Sequence, residues 1–166
     1  LRLLLCRIKK TTTMKKVTIA PFKVIGIAVR TTNQNGQSAK DIGQLWNKFM
    51  TEGIADQIPN KVDASVFSIY TNYEGDHTQP YDTILGCKVD SLDNIPEGFI
   101  GQAFEGGTYE KFVSKGDLTQ GVVFGTWNEI WNSDLERAYT ADFELYGERA
   151  QNPTDAEVDV MVAIKN

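Results

Sequence analysis

The chain repeats one pattern of predicted elements, and this repeat constrains the fold more than any other feature of the sequence. Each half reads strand, helix, strand, strand. In the strand after the helix, Phe67-Ser68-Ile69-Tyr70 of the first half matches Phe143-Glu144-Leu145-Tyr146 of the second. Trp46-Asn47-Lys48 in the first helix likewise matches Trp127-Asn128-Glu129 in the second. Such a duplication predicts an α+β fold, with two helices packed on a mostly antiparallel sheet and a pseudo-twofold cleft between the halves.

The length of 166 residues suits one domain with a buried core. We place the two β-α-β-β halves at about 14–94 and 95–166, joined by the tight connection Ile95-Pro96-Glu97-Gly98. Residues 1–13 differ from the rest, because a short apolar run lies among basic residues there. That run is too short to span a membrane and lacks a signal-peptide cleavage site. We therefore expect a leader that is not native to the domain, with Met14 as the natural start; an extra edge strand is the alternative.

Apolar residues at helical spacing predict the helices, and alternation of apolar and polar residues predicts the strands. The predicted helices run from Ala39 to Glu52, capped by Ser38, and from Leu118 to Arg137, capped by Thr119. Pro21 lies within the first predicted strand and should mark an edge or a bulge, because proline has no N–H for the ladder. The predicted strands are 16–30, 65–73, 81–89, 99–104, 108–114, 142–146 and 156–164.

Glu144 breaks the symmetry of the repeat. Alternation places Phe143 and Leu145 on one face of their strand, and Glu144 and Tyr146 on the other. The residue that corresponds to Glu144 in the first half is Ser68. An acid on only one side of a duplicated scaffold indicates a residue that serves a site rather than the fold. The alternative is a solvated surface acid, because antiparallel strands usually turn polar residues outward.

Charge and rare residues argue against several classes of function. The net charge of -5 argues against a nucleic-acid surface and is compatible with a cationic ligand. Cys6 and Cys87 fit neither a zinc spacing nor a disulfide framework, so we expect a reducing, cytoplasmic setting. His77 is the only histidine, which leaves little for a histidine triad or a zinc cluster. We therefore assign no metal, no cofactor and no catalytic residue, and we treat His77 as a solvated loop residue.

Five segments give the sequence a family resemblance. In order and spacing they resemble the GyrI-like effector-binding domains of the AraC/BmrR type, and most closely their stand-alone, integron-cassette-associated members. The resemblance covers residues 14–166. The segments are Phe22 to Ile27, Ile95 to Gly98, Gly107 to Phe112, Phe143 to Arg149 and Ala156 to Val160.

The resemblance implies a duplicated fold with an open cleft that binds small molecules, often lipophilic cations. In multidrug-sensing relatives, a glutamate between an aromatic and an aliphatic residue faces the bound cation, and Glu144 matches that position. Most relatives are fused to a helix-turn-helix domain. Here we expect a stand-alone effector-binding protein without direct nucleic-acid or membrane binding. It would either sense a ligand for a protein partner in trans or sequester drugs.

An aromatic-lined cleft would suit such a ligand, because aromatic faces supply apolar contact and cation–π attraction. A partly buried carboxylate adds selectivity for charge, since its desolvation is offset only when a cation arrives. We expect the ligand-binding residues to be Glu144, Trp46, Tyr70, Tyr81, Phe104, Trp127 and Tyr146.

Two other classes of function compete with ligand binding. Some relatives are thought to hydrolyse reactive small molecules, and Glu144 with Tyr146 or Tyr109 could act as a general acid/base pair. The sequence lacks an obvious nucleophile–base pair, so we do not expect an enzyme. A protein-interaction module of the gyrase-inhibitor type would need an exposed apolar or acidic patch.

Overall fold

The computed structural model describes residues 14–166, so the predicted leader, with Cys6, lies outside the described residues. Two long helices correspond to the two predicted ones, and a single helical turn follows the first. In chain order the elements are β1 (Lys15–Ile19), β2 (Phe22–Thr31), α1 (Gln37–Thr51), α2 (Ile54–Gln57), β3 (Val66–Thr71), β4 (Tyr81–Val89), β5 (Ile100–Phe104), β6 (Gly107–Gly116), α3 (Val122–Trp131), β7 (Ala141–Tyr146) and β8 (Ala156–Ala163).

The strands form one antiparallel sheet in the order β1-β6-β8-β7-β3-β4-β2-β5. The first half contributes β1 to β4 and the second half contributes β5 to β8, so β1 corresponds to β5, β2 to β6, β3 to β7 and β4 to β8. Exchanging each strand for its counterpart reverses the order of the sheet, which is therefore pseudo-twofold symmetric about the β3–β7 junction. β1 pairs with β6, and β5 pairs with β2, so each half supplies an edge strand to the other half. The predicted α+β fold with a mostly antiparallel sheet is confirmed.

One face of the sheet closes on itself around an apolar core. The ring centroids of Phe22 on β2 and Phe143 on β7 lie 5.5 Å apart, although two strands separate β2 from β7. A flat sheet would hold them roughly 14 Å apart, because neighbouring strands are about 4.8 Å apart. The sheet therefore curls strongly. Gly26 and Gly86 face each other in the β2–β4 register, and a Cβ on either would overlap the backbone of the opposite strand.

The other face of the sheet carries the two long helices. α1 buries Leu45 and Phe49 in an apolar cluster with residues of β2 and β4. α3 buries Trp127 and Ile130 in a second cluster with residues of β6 and β8. The two clusters lie on opposite sides of the β3–β7 junction, so the helices flank a gap over the centre of the sheet. None of the helices in residues 14–166 is long and apolar enough to cross a membrane.

Several predicted boundaries and caps are wrong. Pro21 separates two strands, β1 and β2, instead of interrupting one. The residue before α1 is Gly36, with no side-chain cap, rather than Ser38. Asp117, not Thr119, is the capping side chain in the second half: its carboxylate accepts a hydrogen bond from the Thr119 N–H at 2.8 Å.

The second predicted helix is shorter than expected at both ends. Its first residues form a separate 3-10 turn, and Gly121, in the left-handed region at φ 72°, precedes α3. The helix ends at Trp131. Arg137, predicted as its last residue, instead forms an isolated antiparallel bridge with Ile164 beside the sheet. Helical spacing continues past Trp131 in the sequence, but backbone pairing with the end of β8 decides the conformation.

Candidate ligand-binding site

An open cavity of about 1200 Å³ lies between α1 and α3, over β3 and β7. Typical pockets for drug-sized ligands measure about 300–1000 Å³, so this one has room for a bulky aromatic molecule. Its walls come from both halves of the repeat: α1 contributes Trp46 and Met50, and α3 contributes Phe124, Trp127 and Trp131. The predicted cleft between the halves is therefore present in the structure.

Glu144 lies at the centre of this cavity, on the pseudo-twofold axis. The repeat makes Ser68 the counterpart of Glu144, and the β3–β7 register places the same two residues opposite each other. Since the axis relates a residue to its counterpart, it passes between them. The Glu144 residue is 4% exposed and Ser68 is fully buried. Glu144 is therefore not a solvated surface acid.

Three side chains donate hydrogen bonds to the Glu144 carboxylate. The Tyr70 hydroxyl donates to Oε2 at 2.8 Å, and the Tyr146 hydroxyl donates to the same oxygen at 3.4 Å. Trp127 Nε1 donates to Oε1 at 3.2 Å. Tyr70 and Tyr146 are counterparts in the repeat, so the two halves supply a symmetric pair of tyrosines to one central acid. Ser68 Oγ in turn donates to the Tyr70 hydroxyl at 3.2 Å.

The acid itself has no basic partner in the part of the chain that the structure describes. None of the salt bridges among residues 14–166 involves Glu144. Burial raises the pKa of Glu144, and the hydrogen bonds from Tyr70 and Trp127 oppose that rise. Burial, followed by the negative charge of Glu144, raises the pKa of Tyr70 and of Tyr146 well above the usual value. Both tyrosines therefore remain protonated donors, and a positive charge would complete the site.

Aromatic rings surround the acid on both sides of the axis. Trp46 on α1 meets Tyr146 edge-on, with centroids 5.0 Å apart. Trp127 on α3 meets Tyr70 edge-on, with ring centroids 5.5 Å apart, and Tyr81 meets Tyr70 edge-on, with ring centroids 6.0 Å apart. Edge-to-face packing fixes each ring against its neighbour. The cavity thus has preformed aromatic walls.

The structure brings together six of the seven residues that the sequence indicated. Phe104 is the exception. It pairs with Phe22 in the β5–β2 register, and their rings stack with centroids 5.0 Å apart in the core on the opposite face of the sheet. Tyr109, one candidate partner of Glu144 in the hydrolase alternative, lies in that same core against Phe143 at 5.5 Å. The six residues that line the cavity are Glu144, Trp46, Tyr70, Tyr81, Trp127 and Tyr146.

Sequence reasoning missed one end of the cavity. His77 was treated as a solvated loop residue, but its ring stacks on Trp131 with centroids 6.2 Å apart, and its Nδ1 lies 3.2 Å from the Tyr139 hydroxyl. Burial lowers the pKa of His77, and the positive charge of Arg137 lowers it further. Trp131 could have been found, because it lies one helical turn after Trp127. His77 comes from an irregular segment, which carries no periodic signal, and Arg137 is the predicted last residue of a helix that ends at Trp131 in the structure.

Residues 14–166 contain no group of three or more His, Cys, Asp or Glu side chains that could hold a metal ion. The polar groups at the centre of the cavity are the Glu144 carboxylate, the hydroxyl groups of Tyr70 and Tyr146, and the Trp127 indole N–H. These groups can bind and orient a ligand with a positive charge, and the surrounding rings can contact its apolar part.

A preformed aromatic cavity on the symmetry axis of a duplicated antiparallel sheet, with a buried acid at its centre, defines the class of small-molecule effector-binding domains. The chain belongs to the family described as integron-associated effector binding protein, whose model matches residues 17–164. The family resemblance that the sequence segments indicated is therefore confirmed.

Three similar proteins share nearly the whole domain. YobU of Bacillus subtilis (strain 168), named for transcriptional regulation, is 28% identical over 144 residues, which cover 84% of this chain and 90% of YobU. The integron cassette protein VCH_CASS2 of Vibrio cholerae is 31% identical, with a TM-score of 0.69 over 92% of this chain and 95% of that one. SAV2435, solved bound to tetraphenylphosphonium, has a TM-score of 0.77 at 15% identity, over 93% and 94% of the two chains.

Proposed function

We propose that the protein binds lipophilic organic cations in this cavity, with the Glu144 carboxylate as the counter-charge. The observation that carries the proposal is the environment of Glu144, a buried acid with three hydrogen-bond donors and no salt bridge within residues 14–166. Burying a carboxylate without a cation costs free energy. A bound cation would offset that cost, so the site favours positively charged ligands over neutral ones.

The aromatic walls suit the apolar part of such a ligand. Trp46 and Trp127 line the cavity from opposite helices, and Tyr70 and Tyr81 line it between them. An aromatic face attracts a cation by about 0.5–2 kcal/mol, with tryptophan the strongest. SAV2435 has the same fold and is bound to tetraphenylphosphonium, a bulky aromatic cation. That likeness supports the ligand class inferred from the residues of this chain.

The biological output that we propose is ligand binding by a stand-alone effector-binding protein. It would sense an organic cation for a protein partner or sequester the cation. Support comes from the similarity to an integron cassette protein and to YobU, which is named for transcriptional regulation. Whether the protein senses the cation or sequesters it, the cavity would bind the ligand without converting it.

Tetraphenylphosphonium is the probe that tests this proposal. It should raise the melting temperature and quench the fluorescence of Trp46 and Trp127, because both rings line the cavity. The neutral compound triphenylphosphine oxide and the anion tetraphenylborate, which has the same shape as the cation, should do so much less. Equal responses to all three compounds would remove the electrostatic part of the proposal. Ligands recovered unchanged support binding, whereas converted ligands would favour the hydrolase alternative.

A further inference from the structure

Arg137 is a second buried charged residue in the cavity wall, and its hydrogen bonding is incomplete. It lines the cavity and is 6% exposed. Its Nη2 donates to Asp142 Oδ2 at 2.7 Å. The buried Nε and Nη1 atoms have no hydrogen-bond partner. Most buried donors in proteins are paired, so these two unpaired nitrogen atoms indicate an acceptor from outside the protein.

The position of the guanidinium group is fixed by neighbouring rings. Its central carbon lies 4.5 Å from the centroid of the Tyr139 ring and 5.7 Å from that of the Trp127 ring. Trp127 also donates to Glu144, so a single aromatic side chain contacts both buried charged groups of the cavity. A planar, pre-oriented guanidinium offers its remaining donors with little further loss of side-chain entropy.

Arg137 and Glu144 lie at different places along the cavity. Arg137 precedes β7, near the end where Ala141 pairs with Thr71, whereas Glu144 lies at the centre of the strand. The strand advances about 10 Å from Ala141 to Glu144, at roughly 3.3 Å per residue. A ligand with two or more aromatic rings can extend over that distance.

The charges around Arg137 select the kind of acceptor. Asp142 already balances the charge of Arg137 and is fully buried. Glu144 is a further acid in the same cavity, and burial and the charge of Arg137 lower the pKa of His77, which disfavours a second positive charge there. A carboxylate on the ligand would therefore meet two buried acids and only one cation. A neutral oxygen, such as a carbonyl, can accept from Arg137 without that repulsion.

We infer that Arg137 is a second polar anchor of the cavity, which binds a neutral oxygen acceptor on the ligand while Glu144 binds its positive charge. The preferred ligand class is an aromatic cation that also carries a carbonyl or similar oxygen. This inference rests on the proposed function, since it concerns the same cavity.

A series of phosphonium ions tests the inference on the unaltered protein. One phenyl ring of tetraphenylphosphonium is given an acetyl group, an isopropenyl group of the same shape without the oxygen, or a carboxylate, each as the para and the meta isomer. The better acetyl isomer should bind about tenfold more tightly than its isopropenyl counterpart, as expected for a hydrogen bond to a charged donor. The carboxylate should bind more weakly than the acetyl compound.

The outcomes separate this inference from the proposed function. If tetraphenylphosphonium itself does not bind, the proposed function fails. If it binds but the acetyl and isopropenyl compounds bind equally well, the function stands and the Arg137 anchor is overturned, with ordered water as the partner of those N–H groups. Tighter binding of the carboxylate than of the acetyl compound would also overturn the neutral acceptor.

Variants add an independent readout. Arg137→Lys keeps a positive charge beside Asp142 but removes Nε and Nη1, so it should abolish the tenfold advantage of the acetyl compound over the isopropenyl compound. The matched control is Arg149→Lys, because Arg149 is exposed and does not line the cavity. The control should keep the acetyl advantage. A folded Arg137→Lys protein that keeps it as well would contradict the inference; if that variant does not fold, the ligand series decides.

Discussion

Replacing Glu144 with glutamine should weaken tetraphenylphosphonium binding roughly ten- to hundredfold, while the protein stays folded. Glutamine has the same size and its amide oxygen can still accept hydrogen bonds on one side, but its NH2 group only donates and the side chain carries no charge. The expected loss is about 1.5–3 kcal/mol, the range for a hydrogen bond to a charged group. Titration followed by tryptophan fluorescence measures the dissociation constant. Ser68→Ala is the matched control, because Ser68 faces Glu144 across the symmetry axis.

Ser68→Ala should change the affinity little, because the Ser68 hydroxyl carries no charge and donates to the Tyr70 hydroxyl. Unchanged affinity in Glu144→Gln would show that the acid does not contact the cation. Equal losses in both variants would indicate a general disturbance of the cavity floor instead.

The same Glu144→Gln variant should differ from the parent in its pH dependence. The folded-state pKa of Glu144 is raised above the usual value of 4.5, so folding favours the protonated acid. The parent is therefore most stable, relative to the variant, below the usual pKa, and it loses stability as the pH rises through the raised value. Its affinity for the cation should change in the opposite sense and fall as the pH drops through that value. Melting temperatures and titrations over this range should show neither trend in the variant.

Replacing Asp142 with alanine should cost about 3–5 kcal/mol of unfolding free energy, the range for breaking a buried ion pair by removing one partner. Asp142 is fully buried. Its Oδ2 accepts from Arg137 Nη2 and from the Tyr73 hydroxyl, each at 2.7 Å, and its Oδ1 accepts from the Ala163 N–H at 2.8 Å. Alanine leaves all three donors unpaired and the Arg137 charge uncompensated. Urea unfolding measures the loss.

Two further variants give this prediction its controls. Asp82→Ala removes an acid that pairs with Arg30 at 3.1 Å in a solvated setting, so it should cost at most about 1 kcal/mol. Combining Arg137→Met with Asp142→Asn removes both charges of the buried pair and should recover part of the Asp142→Ala loss. If Asp142→Ala lowers the free energy of unfolding no more than Asp82→Ala does, the buried pair of Arg137 and Asp142 does not stabilise the folded protein.

The sequence predicted the central part of the site because two independent signals agree there. The repeat defines the symmetry of the sheet, and the place where Glu144 replaces Ser68 marks the axis on which the cavity is centred. Alternation along β7 correctly separates Glu144 and Tyr146 from Phe143, which lies in the opposite core. The alternation is reliable here because a shift of the β7 register by one residue would place the Glu144 charge in that apolar core.

The parts that sequence reasoning missed depend on contacts between distant segments. The prediction for Phe104 is wrong because the pairing of β5 with β2 of the other half decides which face of the sheet its side chain occupies. A sequence repeat does not reveal that each edge strand pairs with the other half. His77 reaches the cavity from an irregular segment, where neither helical spacing nor alternation applies. Arg137 was assigned to a helix on local pattern, whereas tertiary pairing with Ile164 determines its conformation.

A crystal structure with tetraphenylarsonium tests the central claim most directly, because anomalous scattering from arsenic locates the centre of the cation. We expect an arsenic peak inside the cavity beside the Glu144 carboxylate, with phenyl rings against Trp46 and Trp127. An arsenic peak confined to the outer surface of the protein, with the cavity empty at a saturating concentration of the cation, would contradict it.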